Sequence, residues 1–547
     1  MKNIIFLFIF CCKLLHAQHV FVKQWDWRYG GLGFDGLRTF IETTDKGFLF
    51  GVSTYSGLGG DKSQENWDLS YETVDYWIIK TDSNGIKQWD KRYGGRQSDY
   101  FRYLSQTRDG GYILGGFSNT DKNGDRTESC RGGVDYWIVK IDSLGNKQWD
   151  KRFGGTSDDE LWEVKQTRDG GYILGGYSYS DTGGDRTQPS RGNQDYWIVK
   201  TDSIGNKQWD KRYGGGGSDL LNSLVQSNDG GFVLAGQSSC GIDSGYSTIG
   251  HGNMDYWVVK TDSIGNQIWD LSYGGTHFEN LYTISKTNDG GYILGGISYS
   301  QNNGNKSEST KGNHDYWIVK IDSEGNIQWD KDFGGGIFEI VVGNIAQTTD
   351  NGFLISGVSR SNANGDKTEN NLGKYQTWIV KTDVSGNLEW DKTLLTEGDN
   401  DYSFGGFVVQ TSDHCFASAN SGDAGIGGYK TQPNWDPNDS LYDIWIVKFC
   451  DTSLFTPVNM KLDIQNQLSI YPIPFLSDIN IKLEKVKAKF VKITIKNILG
   501  ETVYFDLSNN TDKTFFKNTD LSFLSNGFYL LEMDFDGERI VRKLIKE

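Results

Sequence analysis

Residues 135–155 read DYWIVKIDSLGNKQWDKRFGG and residues 166–178 read QTRDGGYILGGYS; close copies of both stretches return along most of the chain. Tryptophans of the Gln-Trp-Asp type fall at Trp25, Trp89, Trp149, Trp209, Trp269, Trp329 and Trp390, spaced 64, 60, 60, 60, 60 and 61 residues apart. Those of the Tyr-Trp-Ile-Val type fall at Trp77, Trp137, Trp197, Trp257, Trp317, Trp378 and Trp445. Both series count seven, and a fixed period of this length is the signature of a repeat architecture. Within the second unit, Phe101–Thr107 turns through Asp109-Gly110-Gly111 into Tyr112–Ser118. A polar loop, 119–134, leads to Asp135–Asp142, which turns through Ser143–Asn146 into Lys147–Phe153. These are two hairpins by length and turn chemistry. Four strands per unit, seven times over, predicts an all-β fold: a seven-bladed β-propeller over residues 19–450.

The ends of the array supply a second argument. The chain enters the repeats with Lys23-Gln24-Trp25-Asp26, which lacks a Tyr-Trp-Ile-Val partner, and leaves them with Asp443-Ile444-Trp445-Ile446-Val447-Lys448, which lacks a Gln-Trp-Asp partner. Each is the other's missing half. The N-terminal strand is therefore expected to complete the last blade, leaving no open sheet edge. The second hairpin is similar to the tryptophan-docking repeats of quinoprotein-type propellers, a resemblance that implies an outermost position for the Gln-Trp-Asp strand.

Composition agrees with many short strands joined by glycine turns: 70 Gly and 14% aromatics, with only 4 Met. The N-terminus carries Lys2, an apolar run from Ile4 to Cys12 and a small residue at Ala17, so residues 1–18 read as a cleavable signal peptide. No later run is long and apolar enough to predict a membrane-spanning helix. The net charge is −16, and the excess acid lies in the repeats: residues 19–467 hold 41 Lys+Arg against 60 Asp+Glu, whereas 468–547 hold 12 against 11. An acidic repeat domain repels phosphate backbones, which excludes nucleic acid as a natural partner. Cys415 begins one strand of the last repeat and Cys450 ends the next; antiparallel pairing would set them side by side, as a disulfide or as two small buried side chains.

After the repeats, 451–466 reads as a linker, and 467–547 as a separate domain. It carries Tyr471-Pro472-Ile473-Pro474, Gly527-Phe528-Tyr529, Gly537 and the closing Lys543-Leu544-Ile545-Lys546. This resembles the type A C-terminal sorting domain of type IX secretion, found in the Bacteroidetes group, with Ile473 where that family usually has Asn. The resemblance implies a small β-sandwich, the type IX machinery as partner, and a product that is secreted or attached to the outer cell surface.

No catalytic, cofactor-binding or metal-ligating residue is assigned from the sequence. Fourteen of the 18 Trp are repeat positions that blade packing accounts for. Trp67 and Trp435 lie instead in the long loops of the first and last units, where they either anchor the loops or stack on sugar rings. The loop segments 121–128, 181–188 and 362–369 alternate Asp and Asn around Gly, which leaves calcium open, although none has a closing bidentate Glu. Gly31-Leu32-Gly33-Phe34-Asp35-Gly36 fits a dinucleotide pattern but occupies the place of the Gly-Gly loops of other units, not a strand-to-helix turn. His251, His277, His314 and His414 are scattered. Strand order puts the long loops at one end of every blade, and that face is where function is expected. The first reading is an exported binding or adhesion-type protein contacting glycan or protein there, and not an enzyme. The alternative is an extracellular polysaccharide hydrolase or lyase using acids of the divergent units, among them Asp423, Asp436 and Asp439.

Overall fold

A computed structural model describes residues 19–239, 247, 250–340, 343–399, 406–436, 441–451, 468–484, 490–497, 502–509, 514–535 and 538–547. The expected signal peptide, nearly all of the expected linker, Cys240, Asp439 and Gly537 lie outside them. The elements formed by the described residues are β-strands. The chain divides into two compact units, one of them Phe21–Cys450.

Residues 21–451 build seven sheets that follow one plan. In blade 2 the strands are Asp99–Gln106, Tyr112–Ser118, Asp135–Ile141 and Lys147–Phe153, each antiparallel to the next. The first strand begins two residues before the run legible in the sequence. Its register slips between Phe101 and Tyr103, so Arg102 is an extra residue that breaks the alternation. In blade 6 the first strand is split into Glu339–Ile340 and Ile345–Gln347, both paired with Phe353–Ser359. Blade 7 takes three strands from the end of the array, and its fourth is Phe21–Tyr29.

The repeated residues explain the blade. The third strand is buried throughout, and its Trp donates its indole N–H to the Asp of the fourth strand in all seven blades, at 2.9–3.1 Å. In blade 7 this bond runs from Trp445 to Asp26, across 419 residues of sequence. The third-strand Lys pairs at 2.6–2.9 Å with the Asp of the tight turn joining the first two strands, again in every blade. Glycine is required where blades meet: Gly205 has φ of 81°, and a Cβ there would lie 2.9 Å from the Trp149 ring of the preceding blade.

Neighbouring blades are joined twice by hydrogen bonds. At the long-loop end, the first N–H of the first strand in blades 1 to 6 donates to the residue preceding the third strand of the blade before it. Asp99 to Val74, Asp159 to Val134 and Glu279 to Met254 are all 2.7 Å, and Asp35 to Tyr442 makes the same bond at 2.8 Å between blades 1 and 7. At the other end, Gln106, Gln166, Gln226, Gln347 and Gln410 each accept a backbone N–H from the preceding blade's turn, and Glu42 takes this role for Ser412 at the 7–1 junction. Apolar clusters fill the spaces between: Tyr76 and Ile78 of blade 1 pack with Phe101, Leu104, Leu114 and Trp137 of blade 2. The ring is closed, and it is a β-propeller.

Cys415 and Cys450 form a disulfide, with Cα atoms 4.4 Å apart. The C-terminal unit holds a three-stranded sheet of Leu468–Tyr471, Asp478–Glu484 and Thr514–Asp520, and a four-stranded sheet of Thr502–Asn509, Phe490–Asn497, Gly527–Phe535 and Glu538–Lys546. Ile479, Ile481 and Leu483 from the first share one core with Ile493, Ile495, Leu531 and Met533 from the second, which makes a β-sandwich.

Candidate functional site

The first strands of the blades surround a central channel of about 560 Å³. The bulge decides what lines it. The extra residue of the first strand is Arg38, Arg102, Trp162, Asn222 and Tyr282 in blades 1 to 5, and each of these faces the channel. A bulge turns two successive side chains toward one side, so Thr39, Tyr103, Glu163, Ser223 and Thr283 line it as well. Blades 6 and 7 contribute Ile340, Asn344, Phe407 and Val409, a more apolar wall.

The polar groups of this lining are bound to one another. The Arg102 guanidinium lies over the Trp162 ring at 4.2 Å and over Phe117 at 5.0 Å. Lys165 pairs with Glu163 at 2.6 Å and donates to the Leu224 carbonyl at 2.8 Å. The other Glu163 oxygen accepts the Ser223 hydroxyl at 2.9 Å and the Leu224 N–H, tying blade 3 to blade 4. Burial, reinforced by Glu163, pushes the Tyr103 hydroxyl up to about 12; burial depresses Lys165, but Glu163 and Tyr103 outweigh it and raise the ammonium to about 12. Near neutral pH this cluster holds a neutral phenol and an ammonium, and the Glu163 side chain accepts three donors, from Lys165, Ser223 and the Leu224 N–H.

The mouth of the channel on the long-loop side is rich in rings. Tyr177 lies 6.1 Å from Trp162 and 6.3 Å from Tyr179 between ring centroids, and its hydroxyl donates to Glu160 at 2.7 Å. Phe34 packs on Tyr55 and Tyr442, and Tyr100 on Phe117. Phe278, Tyr299, His314, Phe338 and Tyr375 continue the series through blades 5 and 6. Tyr179, Phe278 and Tyr299 are 42, 46 and 38% exposed.

The loop residues singled out from the sequence sit further out. The Trp67 indole donates to Asp125 of the next blade's loop at 2.9 Å, beneath the Arg92 guanidinium at 4.4 Å. Trp435 repeats the arrangement with Asp61 at 2.8 Å and Arg28 at 4.1 Å. Each indole thus fastens its loop to the next blade. Arg131 and Lys311 stand at the matching backbone position, and reach Asp185 at 2.5 Å and Asp366 at 2.7 Å. The loop acids Asp125, Asp185 and Asp366 each also accept a Gly N–H of the Gly-Gly connection. Gly31 and Gly33 donate to Asp35 and Ser56 in a loop between strands. Asp423 accepts the Asp399 N–H at 2.9 Å, and Asp436 is buried. Among the described residues no three His, Cys, Asp or Glu side chains group as metal ligands.

The channel residues escape a reading aimed at the loops. Trp162 stood out only as one tryptophan outside the two series. Superposing the units on their Asp-Gly-Gly turns would have found them: the third and fourth strands are near copies, while the fourth and fifth residues of the first strand change chemical class from unit to unit.

Residues 469–547 match the family model described as the secretion system C-terminal sorting domain. Among curated proteins, none matches the chain. Solved structures similar to it include a protein of unknown function from Bacteroides caccae (10% identity over 58% of this chain and 89% of that one, TM-score 0.32). Sqt1 from Chaetomium thermophilum is similar at 11% identity over 77% and 97%, with a TM-score of 0.38. A family 43 arabinoxylan arabinofuranohydrolase from Bacillus subtilis is similar at 10% identity over 94% of both chains, with a TM-score of 0.27. At these scores they carry no argument about function.

The sorting domain marks the chain for type IX secretion, and its product is released or held at the outer cell surface. Among the described residues no helix is long and apolar enough to cross a membrane.

Proposed function

We propose that this exported protein is a binding module, and that its ligand-contacting region is the central channel with its ring-lined mouth on the long-loop face. One observation carries the reading: side chains that hold the blades together repeat almost unchanged, and departures from the repeat gather where the first strands open to solvent. Structural positions in a closed ring gain from uniformity; a surface that recognises an asymmetric ligand needs differences. The engaged state of Glu163 favours binding over hydrolysis.

The test uses mature protein, residues 19–547, on an array of bacterial, algal and plant polysaccharides, with and without chelator, and with product release followed in the same wells. Retention without product, weakened at least tenfold by Trp162→Ala, is the expected result. Retention unchanged by Trp162→Ala moves the contact away from the channel. Released oligosaccharide makes the protein a hydrolase or lyase, and loss of retention on chelation adds calcium at the 121–128, 181–188 or 362–369 loops.

A further inference from the structure

The rings of the mouth are unevenly distributed. Between blades 5 and 6 they form one connected strip: Phe278 meets Tyr299 edge-on at 6.4 Å, Tyr299 tilts over His314 at 4.5 Å, His314 stacks on Phe338 at 5.1 Å and 16°, and Phe338 meets Tyr375 at 5.9 Å. These residues adjoin the strand starts where the inter-blade backbone bonds lie, among them Glu279 N–H to the Met254 carbonyl and Glu339 N–H to the His314 carbonyl. The strip is thus fixed by the scaffold before any ligand arrives. Of the nine equivalent positions around blades 2 to 4, Tyr179 alone holds a ring; Ser98, Asn119, Val134, Ser218 and Ser239 are among the others.

Two further observations say what the strip fits. Arg360 lies 5.7 Å from the Phe338 ring and 6.0 Å from Tyr375, and Lys374 lies 5.0 Å over Tyr375. Among the described residues neither cation has a carboxylate within ion-pair distance, although acids outnumber bases 60 to 41 over residues 19–467. Asp399, which accepts the backbone N–H groups of Lys374 and Tyr375, bounds this cationic patch toward blade 7. At the centre of the strip, His314 is 9% exposed, and neither of its ring nitrogens has a hydrogen-bond partner among the described residues. Burial lowers its pKa to about 4, so near neutral pH the ring offers one N–H and one lone pair. Both nitrogens are closed off from the surface, so His314 serves the strip as the ring that spaces Tyr299 from Phe338.

We propose that the blade 5–6 sector of the mouth is a subsite for a polysaccharide of carboxylated pyranose units. Along the chain, the C–H face of one unit stacks on the exposed Tyr299 ring, and the carboxylate of another meets Arg360 and Lys374 beside Phe338 and Tyr375. An uncharged polymer leaves the two cations unanswered, and an anion without a ring face leaves the strip unused. This inference rests on the reading of the mouth as the ligand-contacting face, and names its ligand class.

The test is affinity electrophoresis of the mature protein in gels containing polygalacturonate, alginate or uncharged hydroxyethylcellulose. Three variants run beside it: Arg360→Gln with Lys374→Gln, Tyr299→Ala, and Arg102→Gln as a channel control, each with its melting temperature measured. Expected are retardation by one or both polyuronates and none by hydroxyethylcellulose, with at least a tenfold loss of affinity in the double variant and in Tyr299→Ala. The double variant changes exposed side chains and is expected to keep its melting temperature, so loss of binding there is not loss of fold. Polyuronate binding that survives both blade 5–6 changes but is lost in Arg102→Gln overturns the subsite and leaves the mouth reading intact. Equal retardation by hydroxyethylcellulose overturns the carboxylate requirement alone. Absence of retardation in all three gels overturns the subsite; polysaccharide retention on the array, still sensitive to Trp162→Ala, then preserves the broader reading.

Discussion

Trp137 shows how one side chain serves the fold. Its indole is fully buried and donates to Asp150 at 3.1 Å, and the same Asp oxygen accepts the Thr127 N–H of the long loop at 3.0 Å. Burial pushes the Asp150 pKa up, but the hydrogen bonds of Lys147, Thr127 and Trp137 outweigh it and hold the group below its ordinary value. Trp137→Phe keeps most of the apolar surface and removes one donor from a buried carboxylate. The expected cost is about 1–3 kcal/mol, read as a lower urea midpoint at unchanged slope. The sequence displays the partners at a constant spacing of 13 in six units. It does not display the bond, because spacing along a hairpin says which residues approach and not which atoms meet. Trp67 and Trp435 were equally visible and left two roles open; only their placement against Asp125 and Asp61 shows them anchoring loops.

At the scale of elements, the strand Phe21–Tyr29 has consequences beyond its length. Asp26 accepts the Trp445 indole, the Thr431 N–H and the Thr431 hydroxyl, and the Tyr29 hydroxyl donates to the Gly85 carbonyl of blade 1. Removing residues 21–29 leaves Asp443–Asp451 as an edge with unpaired backbone groups and takes a latch from the ring. Concentration-dependent association by light scattering is the expected outcome, with monomer retained by the intact mature chain. This closure was legible, since each end of the array lacked the half that the other carried. The bulge was not. Arg38, Arg102, Trp162, Asn222 and Tyr282 read as ordinary strand residues, and only the slipped register turns them into the channel beside their neighbours.

Across the whole molecule, closing the ring buries acids at the blade junctions. Asp75 of blade 1 faces Asp99 of blade 2, and Asp443 of blade 7 faces Asp35 of blade 1. Burial raises Asp35, Asp99, Asp159 and Asp255 to about 6, Asp443 and Glu339 to about 7, and Asp75 to about 8. Groups raised above their unfolded values contribute stability that is present below the unfolded pKa and lost as pH rises through 6 to 8. The turn acids behave oppositely. Burial raises Asp169, Asp229 and Asp289, but hydrogen bonds from Lys200, Lys260 and Lys320, with those of the turn itself, bring them to about 2. Their contribution is present above the unfolded pKa and lost as pH falls toward 2. The two windows leave a maximum near pH 4 to 5 as a rough position. The melting temperature of the mature protein is expected to fall from pH 5 to pH 8 and again below about pH 3, by calorimetry; a flat profile from 5 to 8 would contradict the junction acids' part in it.

The repeat, its four strands and the closure are legible in the chain because period, turn chemistry and alternation are local properties that each unit states again, and the sorting domain is legible through its resemblance to a known family. The tertiary structure alone decided the site. The channel is made of one strand from each blade, its lining depends on a register slip in the first hairpin of blades 1 to 5, and the mouth joins rings from residues 278 to 375 through backbone bonds between blades. Those relations exist only once the ring has closed, since no segment of the chain carries them by itself.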